Sequence, residues 1–184
     1  MPNHVHLVLV PSDEDGLRAA VAETHRLYAA LVNRREGCRG HLWQERFHSC
    51  PLHEDHLLAT VRYVELNPVR ARLVETADEW RWSSAAAHLL RQSDELIRAE
   101  LPAALENAGS WAEFLAAGVS LEVTDRLRQH QQTGRPLGDE AFVVALEKLT
   151  ARSLLPKPAG RPRKVRGDSI AISQALLPLA RPVR

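Results

Sequence analysis

The stretch that contributes most to the predicted fold is HEDHLLATVRYVELNPVRA, residues 53–71. Its apolar residues recur at helical spacing and can form one buried face. A proline biases the residue before it away from the helical conformation, so the helix should end just before Pro68. The pattern therefore predicts a helix from about residue 53 to residue 66. Its apolar face comprises Leu57, Leu58, Val61 and Val64.

Two polar residues near the end of this helix form the first candidate site. Tyr63 and Asn67 are four residues apart, which places the phenol and the amide on one helix face. A tyrosine can attack a phosphate when a nearby cation activates the reaction, and an amide oxygen can bind that cation. A half-buried tyrosine followed by an ordinary helix-ending Asn-Pro fits the same spacing. Spacing alone leaves both interpretations open.

The segment MPNHVHLVLV at residues 1–10 supplies the second candidate site. Its β-branched run predicts a buried strand over residues 3–10. Side chains alternate along a strand, so His4 and His6 share a face and could bind one divalent ion. Two structural histidines on a strand have the same spacing. Because the chain starts inside a predicted central strand, we expect that an upstream part of the domain is missing.

Other elements follow from caps and periodicity. A helix should run from about Asp13 to Gly37, and brief strands are predicted at 42–48 and 73–74. A short helix should follow Ser84 and end near Arg91. Further helices are predicted at 94–107, 110–117, 120–131 and 139–150, with Asp139 as the N-cap of the last.

Composition and charge restrict the class of protein. Hydrophobic residues make up 45% of the 184, and no apolar run approaches the 18 residues of a membrane span. We see no secretory signal, and two cysteines fit a reducing cytoplasm better than a disulfide scaffold. These features predict a cytoplasmic protein that does not bind membranes.

The near-neutral total charge conceals an asymmetry. Residues 157–184 contain seven basic residues and one acid, a charge of +6, which leaves −5 for the rest of the +1 total. From residue 155 onward proline, glycine and arginine dominate, which predicts a disordered tail. A basic tail is a candidate contact for nucleic acid.

A third candidate site lies in the loop between the predicted helix that ends at Gly37 and the one that begins near His53. Its cysteines and histidines could bind zinc, although the spacing fits no standard zinc knuckle. Free cysteines and ordinary loop histidines explain the pattern equally well. The residues concerned are Cys38, His41, His48, Cys50 and His53.

Arginines and aromatic residues alternate around these sites. Cations interleaved with aromatic faces are typical of a groove for single-stranded nucleic acid, but solvated helix faces and core tryptophans fit too. The set comprises Arg34, Arg35, Arg39, Arg46, Arg62, Arg70, Arg72, Trp43, Phe47, Trp80 and Trp82.

Four short blocks, in this order, resemble the single-tyrosine HUH transposases, in particular the REP-associated tyrosine transposases of bacteria. The blocks are MPNHVHL at 1–7, HLWQERF at 41–47, RYVELNPVRA at 62–71 and WSS at 82–84. TGRPLG at 133–138 and GRPRK at 160–164 also look like the C-terminal region of such proteins. The resemblance spans about residues 1–91.

The resemblance implies a role for each candidate residue. His4, His6 and Asn67 would bind a divalent metal, Mg²⁺ or Mn²⁺, and Tyr63 would attack a DNA phosphodiester. The implied reaction cleaves and rejoins single-stranded DNA at hairpin repeats through a 5′-phosphotyrosine link. The predicted contacts to the DNA backbone are Arg46, Arg62 and Arg70, because these arginines lie close to the candidate sites in the sequence.

The resemblance also implies a fold. We expect an α+β protein with an incomplete ferredoxin-like antiparallel sheet and helices on one face, followed by a helical extension and the basic tail. The catalytic domain would occupy residues 1–91, without its N-terminal strand and helix, the helical extension 92–154 and the tail 155–184. The unpaired histidine strand would expose apolar surface, and pairing with a second chain would make a homodimer.

Three functional hypotheses follow. The first is a metal-dependent DNA strand transferase, and the absent strand and helix leave its activity an open question. The second is an inactive, truncated remnant that at most binds DNA. The third is a zinc-stabilised interaction module built on the cysteine–histidine loop.

Overall fold

The computed structural model describes residues 1, 3–92, 94, 96–97 and 110–155, and it is helical. Helices hold 54% of these residues, and about 1% take part in strand pairing. A π-helix, Arg18–Ala22, leads directly into α1, and 3₁₀ turns occupy Glu54–His56 and Ala77–Glu79. The α-helices are α1 (Glu23–Glu36), α2 (Leu57–Glu65), α3 (Asn67–Arg70), α4 (Ala85–Leu90), α5 (Trp111–Ala116), α6 (Leu121–Thr133) and α7 (Glu140–Thr150).

The helix ends follow the capping residues of the sequence. Gly37 ends α1 in the left-handed conformation (φ 65°), which glycine adopts without steric cost. Ser120 Oγ accepts the backbone N–H of Val123 (3.2 Å) at the start of α6. Asp139 Oδ1 accepts the N–H of Phe142 (2.8 Å) at the start of α7, as predicted. The predicted helices before Gly37 and at 110–117, 120–131 and 139–150 are confirmed.

The chain bends at the end of α2 and then continues as a second short helix. α2 ends at Glu65, ahead of Pro68 as predicted, and α3 begins at Asn67 because a proline is tolerated in the first turn of a new helix. Arg72 then takes a left-handed φ of 57°, and the N–H of Leu73 bonds to the Pro68 carbonyl (3.0 Å). This closure leaves no strand at 73–74, where one was predicted.

The predicted α+β fold with a ferredoxin-like antiparallel sheet is wrong for the residues that the structure describes. The strand pairing found there is a single parallel bridge between Leu52 and Leu137. Residues 42–46 form bends and 47–48 have no regular structure, where a strand was predicted. The Trp43 indole bonds to the His25 carbonyl (3.0 Å) and holds the loop against α1.

The segment 3–10 shows why the strand pattern did not produce a sheet. A β-branched run fits a pleated surface, but a sheet forms only where a neighbouring strand satisfies its backbone N–H and C=O groups. Within the described ranges, residues 3–10 have no strand partner. Their apolar side chains are exposed accordingly, to 61% at Val5, 58% at Leu7 and 74% at Val10.

The helix α2 is the centre of the packed structure, with one core cluster on each side. The first cluster joins Val61 to Ala85 of α4 and to Phe114 and Leu115 of α5. Each large aliphatic or aromatic side chain buried there contributes about 1.5–3 kcal/mol. Ala77, from the second 3₁₀ turn, completes this cluster.

The second cluster joins Tyr63 to Leu127 of α6 and to Leu137, in the loop before α7. The loop is tied to the segment before α2 by two backbone bonds, Leu137 N–H to the Pro51 carbonyl (2.8 Å) and His53 N–H to the Leu137 carbonyl (2.9 Å). Residues from the predicted extension 92–154 thus share both cores with α2. The division into units at 1–91, 92–154 and 155–184 stays a prediction.

Two predictions fall largely on residues that the structure leaves undescribed. Of the predicted helix at 94–107, the structure describes only residues 94, 96 and 97, and of the basic tail at 155–184 only Leu155. In the parts of the chain that are described, no helix has both the length and the apolar composition needed to cross a bilayer.

Candidate functional site

Four candidate residues lie together beside α2: His4, His6, Tyr63 and Arg70, here called the Tyr63 cluster. The ring centroids of His4 and His6 are 4.9 Å apart, and those of His6 and Tyr63 are 6.0 Å apart, both in edge-on arrangements. The Arg70 Cζ lies 4.4 Å from the centroid of the Tyr63 ring. The structure thus brings the N-terminal histidines to the predicted nucleophile from across the sequence.

The tertiary packing holds the Tyr63 ring in place. Tyr63 projects from α2 into the second core cluster, where Leu127 and Leu137 contact it, and its side chain is 4% exposed. The guanidinium of Arg70, from the last turn of α3, stacks on the ring as a cation–π pair. The ring of Tyr63 is therefore held in a fixed position by its neighbours, which also cover it from solvent.

The histidines of the cluster are held in the neutral form. Burial is the main cause that lowers the pKa of His6 to about 4, with smaller contributions from His4, the amino terminus and Arg70. Burial also lowers the pKa of His4, together with the charge of the amino terminus. A metal-ligating imidazole must be neutral, so at pH 7 both rings have the required protonation state.

Hydrogen bonds indicate which ring nitrogens carry protons. The His4 Nδ1 lies 2.8 Å from the Asn3 Oδ1, an acceptor, so this nitrogen donates and the His4 Nε2 keeps its lone pair. The His6 Nδ1 lies 3.4 Å from the Gln131 Nε2, a donor, so the lone pair of His6 faces α6. A metal bound through that nitrogen would replace the long contact with Gln131.

In the described residues, the third predicted metal ligand is not linked to the other two by a hydrogen bond. Asn67 is half-buried at the start of α3, and in the described part of the chain its side chain makes no hydrogen bond to His4 or His6. No group of three or more His, Cys, Asp or Glu side chains in the described ranges is arranged to hold a metal. The two neutral imidazoles fit a divalent ion, and the amide oxygen of Asn67 remains an implied ligand.

The three predicted DNA-binding arginines lie in different surroundings. Arg70 belongs to the Tyr63 cluster, whereas Arg62 stacks on the Phe114 ring (4.4 Å) and donates from Nη1 to the Gly118 carbonyl (3.2 Å). Arg46 is exposed and lines a cleft of about 810 Å³ between the first helices and residues 40–47. Only Arg70 lies beside the predicted nucleophile.

The cleft containing Arg46 combines cations with aromatic faces. Trp43 stacks on His25 of α1, with the ring centroids 4.0 Å apart, and Phe47 lies further along the wall. Arg18 and Arg26 also line the cleft, and each is paired with an acid one turn earlier on its own helix. Of the eleven arginines and aromatic residues in the predicted set, three line this cleft: Arg46, Trp43 and Phe47.

A buried carboxylate on α2 was missed by the sequence reasoning. Glu65 is 1% exposed and accepts three hydrogen bonds, from Ser84 Oγ (2.9 Å), His88 Nδ1 (2.6 Å) and Trp111 Nε1 (2.7 Å). These donors join α2 to α4 and α5. An acid between Val64 and Leu66 in a largely apolar helix could have indicated a buried carboxylate. Its hydrogen-bond partners could not have been predicted from spacing.

The structure does not gather the cysteines and histidines of the zinc hypothesis. Cys38 is exposed beyond the end of α1, whereas Cys50 is half-buried, and its thiol donates to the Arg135 carbonyl (2.9 Å). Burial raises the pKa of the Cys50 thiol, which disfavours the thiolate that zinc requires. His53 packs against Phe142, with the ring centroids 5.0 Å apart.

Comparison with known proteins finds no match to this chain, whether among protein-family models, curated proteins or solved structures.

Proposed function

We propose that this protein is a metal-dependent single-stranded DNA strand transferase in which Tyr63 is the nucleophile. The observation that supports the proposal is the Tyr63 cluster itself. Two histidines at the start of the chain, a tyrosine on α2 and an arginine on α3 form a chain of neighbours, with His4 and His6 4.9 Å apart, His6 and Tyr63 6.0 Å apart, and the Arg70 Cζ 4.4 Å from the Tyr63 ring centroid. The resemblance to the HUH transposases assigns the histidines and the tyrosine to one reaction.

The proposed reaction is a transesterification at a DNA phosphodiester. A bond forms between the Tyr63 Oη and phosphorus while the bond from phosphorus to the 3′ oxygen breaks. The phenol gives up its proton, and the departing 3′ oxygen takes one up. The DNA on the 3′ side stays attached through a 5′-phosphotyrosine, and a later attack by a 3′-hydroxyl reverses the exchange and reseals a strand.

His4 and His6 are the proposed protein ligands for Mg²⁺ or Mn²⁺, with Asn67 as the third. When bound, such an ion would polarise the phosphodiester and stabilise the charge that develops on it. The neutral state of both imidazoles favours this role. Single-stranded or hairpin DNA is the proposed substrate, and pairing of the exposed segment 3–10 between two chains would give a homodimer.

The burial of Tyr63 favours a second candidate, a DNA-binding protein without strand-transfer activity. A side chain that is 4% exposed can reach a phosphate only if some of the residues packed against it move away. If that movement does not occur, Tyr63 stays buried and does not react. DNA binding would then depend on the arginines and the basic tail.

A covalent-adduct assay distinguishes the two candidates. The full chain is incubated with Mn²⁺ and a pool of single-stranded hairpin oligonucleotides whose flanking nucleotides are random. The DNA carries a label at its 3′ end, because that part remains on the protein after attack. A labelled protein band that resists denaturation is the expected result, and EDTA should abolish it.

The chain offers a matched control, since it contains only two tyrosines. Tyr63→Phe should abolish the adduct, whereas Tyr28→Phe should leave it unchanged because Tyr28 is half exposed on α1. An adduct that survives Tyr63→Phe contradicts the proposal. DNA binding by the wild type without any adduct from the pool supports the non-catalytic candidate instead.

A further inference from the structure

The guanidinium of Arg70 has, within the described chain, no hydrogen-bond acceptor for one of its buried nitrogens. Its Nη1 is buried, and no acceptor in the described residues lies within hydrogen-bonding distance of it. Nor does any acid in those residues form an ion pair with Arg70. Burying a charged N–H without an acceptor is costly, so such a group in a folded protein is usually satisfied by a bound anion or water.

Arg62, the other arginine of α2 and α3, is engaged differently, although its Nε is also buried without a partner in the described residues. Arg62 also stacks on an aromatic ring, but its Nη1 donates to the Gly118 carbonyl, so the protein itself engages the guanidinium. The other buried nitrogens without a partner in the described residues belong to Arg62, Trp80 and His88. Of all these groups, only Arg70 contacts Tyr63.

The surroundings of Arg70 select the kind of anion. The neighbouring side chains are Tyr63, beneath the guanidinium, and His6, whose charge state Arg70 influences. Neither is an Asp or Glu side chain, and no acid of the described residues pairs with Arg70, so the cluster holds a cation without a carboxylate beside it. A guanidinium binds phosphate oxygens through its fixed fork of N–H donors.

We infer that Arg70 binds a non-bridging oxygen of the phosphodiester that Tyr63 attacks, and so acts as a catalytic residue. The inference rests on the proposed function and makes it more specific. Negative charge builds up on the non-bridging oxygens during attack, and a preorganised cation next to them stabilises it. Stacking on the Tyr63 ring fixes the guanidinium next to the nucleophile, which supports contact with the reacting phosphate.

Two measurements on the full chain test the inference. The first is the single-turnover rate of adduct formation with the hairpin pool and Mn²⁺. The second is the salt dependence of affinity for a short oligothymidylate strand, which requires no reaction. Neutralising one phosphate contact on a single strand changes the slope of log K against log salt by about 0.7.

Arg70→Gln should lower the rate about 100-fold or more, the usual effect of removing one donor to a developing oxyanion, and lower the salt slope by about 0.7. Arg126→Gln is the matched control, since it removes the same charge from an exposed position on α6, outside the predicted set of DNA-contacting arginines. Arg70→Lys should keep the salt slope but react at least about tenfold more slowly, because an ammonium lacks the fork.

Each alternative result is decisive. A slope for Arg70→Gln equal to that of Arg126→Gln overturns the phosphate contact. A reduced slope with an unchanged rate overturns the catalytic role, because Arg70 would then bind a phosphate elsewhere. If the wild type forms no adduct, the proposed function fails, and the slope alone decides whether Arg70 binds phosphate. If Arg70→Gln fails to fold, a wild-type rate for Arg70→Lys overturns the inference.

Discussion

Replacing Glu65 by alanine should destabilise the protein more than any change of an exposed acid. The carboxylate is 1% exposed and accepts bonds from Ser84, His88 and Trp111. Alanine would leave three buried donors without an acceptor, at about 1–3 kcal/mol for each donor that water does not reach. Since some water will enter the space, we expect a loss of about 3–5 kcal/mol, as for breaking a buried ion pair.

The assay is equilibrium unfolding in urea, followed by far-UV circular dichroism. Glu113→Ala is the control, because Glu113 is exposed on α5, two residues from Trp111, and should change the stability by less than about 0.5 kcal/mol. Glu65→Gln should fall between the two, since its amide keeps one acceptor oxygen.

A double-mutant cycle separates the hydrogen bond from packing. Trp111→Phe removes the indole N–H while keeping an aromatic ring, so its effect should shrink when Glu65 is already alanine. Additive losses for the two changes, or a Glu65→Ala variant as stable as Glu113→Ala, would show that this network does not hold the helices together.

Three further predictions concern stability. Gly134→Ala should cost about 1–2 kcal/mol in urea unfolding, because φ is 66° and the new Cβ would lie 3.3 Å from the Ser49 carbonyl oxygen; no loss would mean that the loop relaxes freely. Leu137→Ala should cost about 2–5 kcal/mol, since Leu137 is 2% exposed, whereas Leu149→Ala, at 81% exposure, should change the urea midpoint little; equal effects would contradict the packing described. The pKa of His6 is about 4 in the folded state, below its ordinary value of 6.5, so the unfolded chain binds more protons between these values. The contribution of His6 to the free energy of unfolding should therefore be fully present above about pH 6.5 and be lost as the pH falls towards 4. His6→Gln should reduce this pH dependence when urea midpoints are compared in EDTA.

The helices were predictable because their signals are local. Gly37, Ser120 and Asp139 cap helices through bonds within a few residues, and apolar spacing marks the buried face of α2. The strands were not predictable in the same way. An extended run such as 3–10 becomes part of a sheet only through hydrogen bonds to another segment, and the described chain supplies none.

The candidate site, too, was predictable only where the signal is local. The spacing of His4 and His6 placed two imidazoles close together, and this contact is present although the expected sheet is not. The separation of Arg62 from Arg70 was not predictable, because the bend after Glu65 redirects the chain between them. Proximity in sequence had suggested one role for both arginines.

By itself, the sequence determined where α1 ends and where α6 and α7 lie, which residues carry reactive groups and how charge is divided along the chain. Only the tertiary structure decided that His6 meets Tyr63, that Arg70 lies over the phenol and that Glu65 joins α2 to α4 and α5. The reason is physical. Caps and periodicity act within a few residues, whereas the contacts of Glu65 and His6 join residues 19 (Glu65 with Ser84) to 57 (His6 with Tyr63) positions apart and depend on how α2 is packed on both sides. The contact of Arg70 with Tyr63 depends on the bend between α2 and α3.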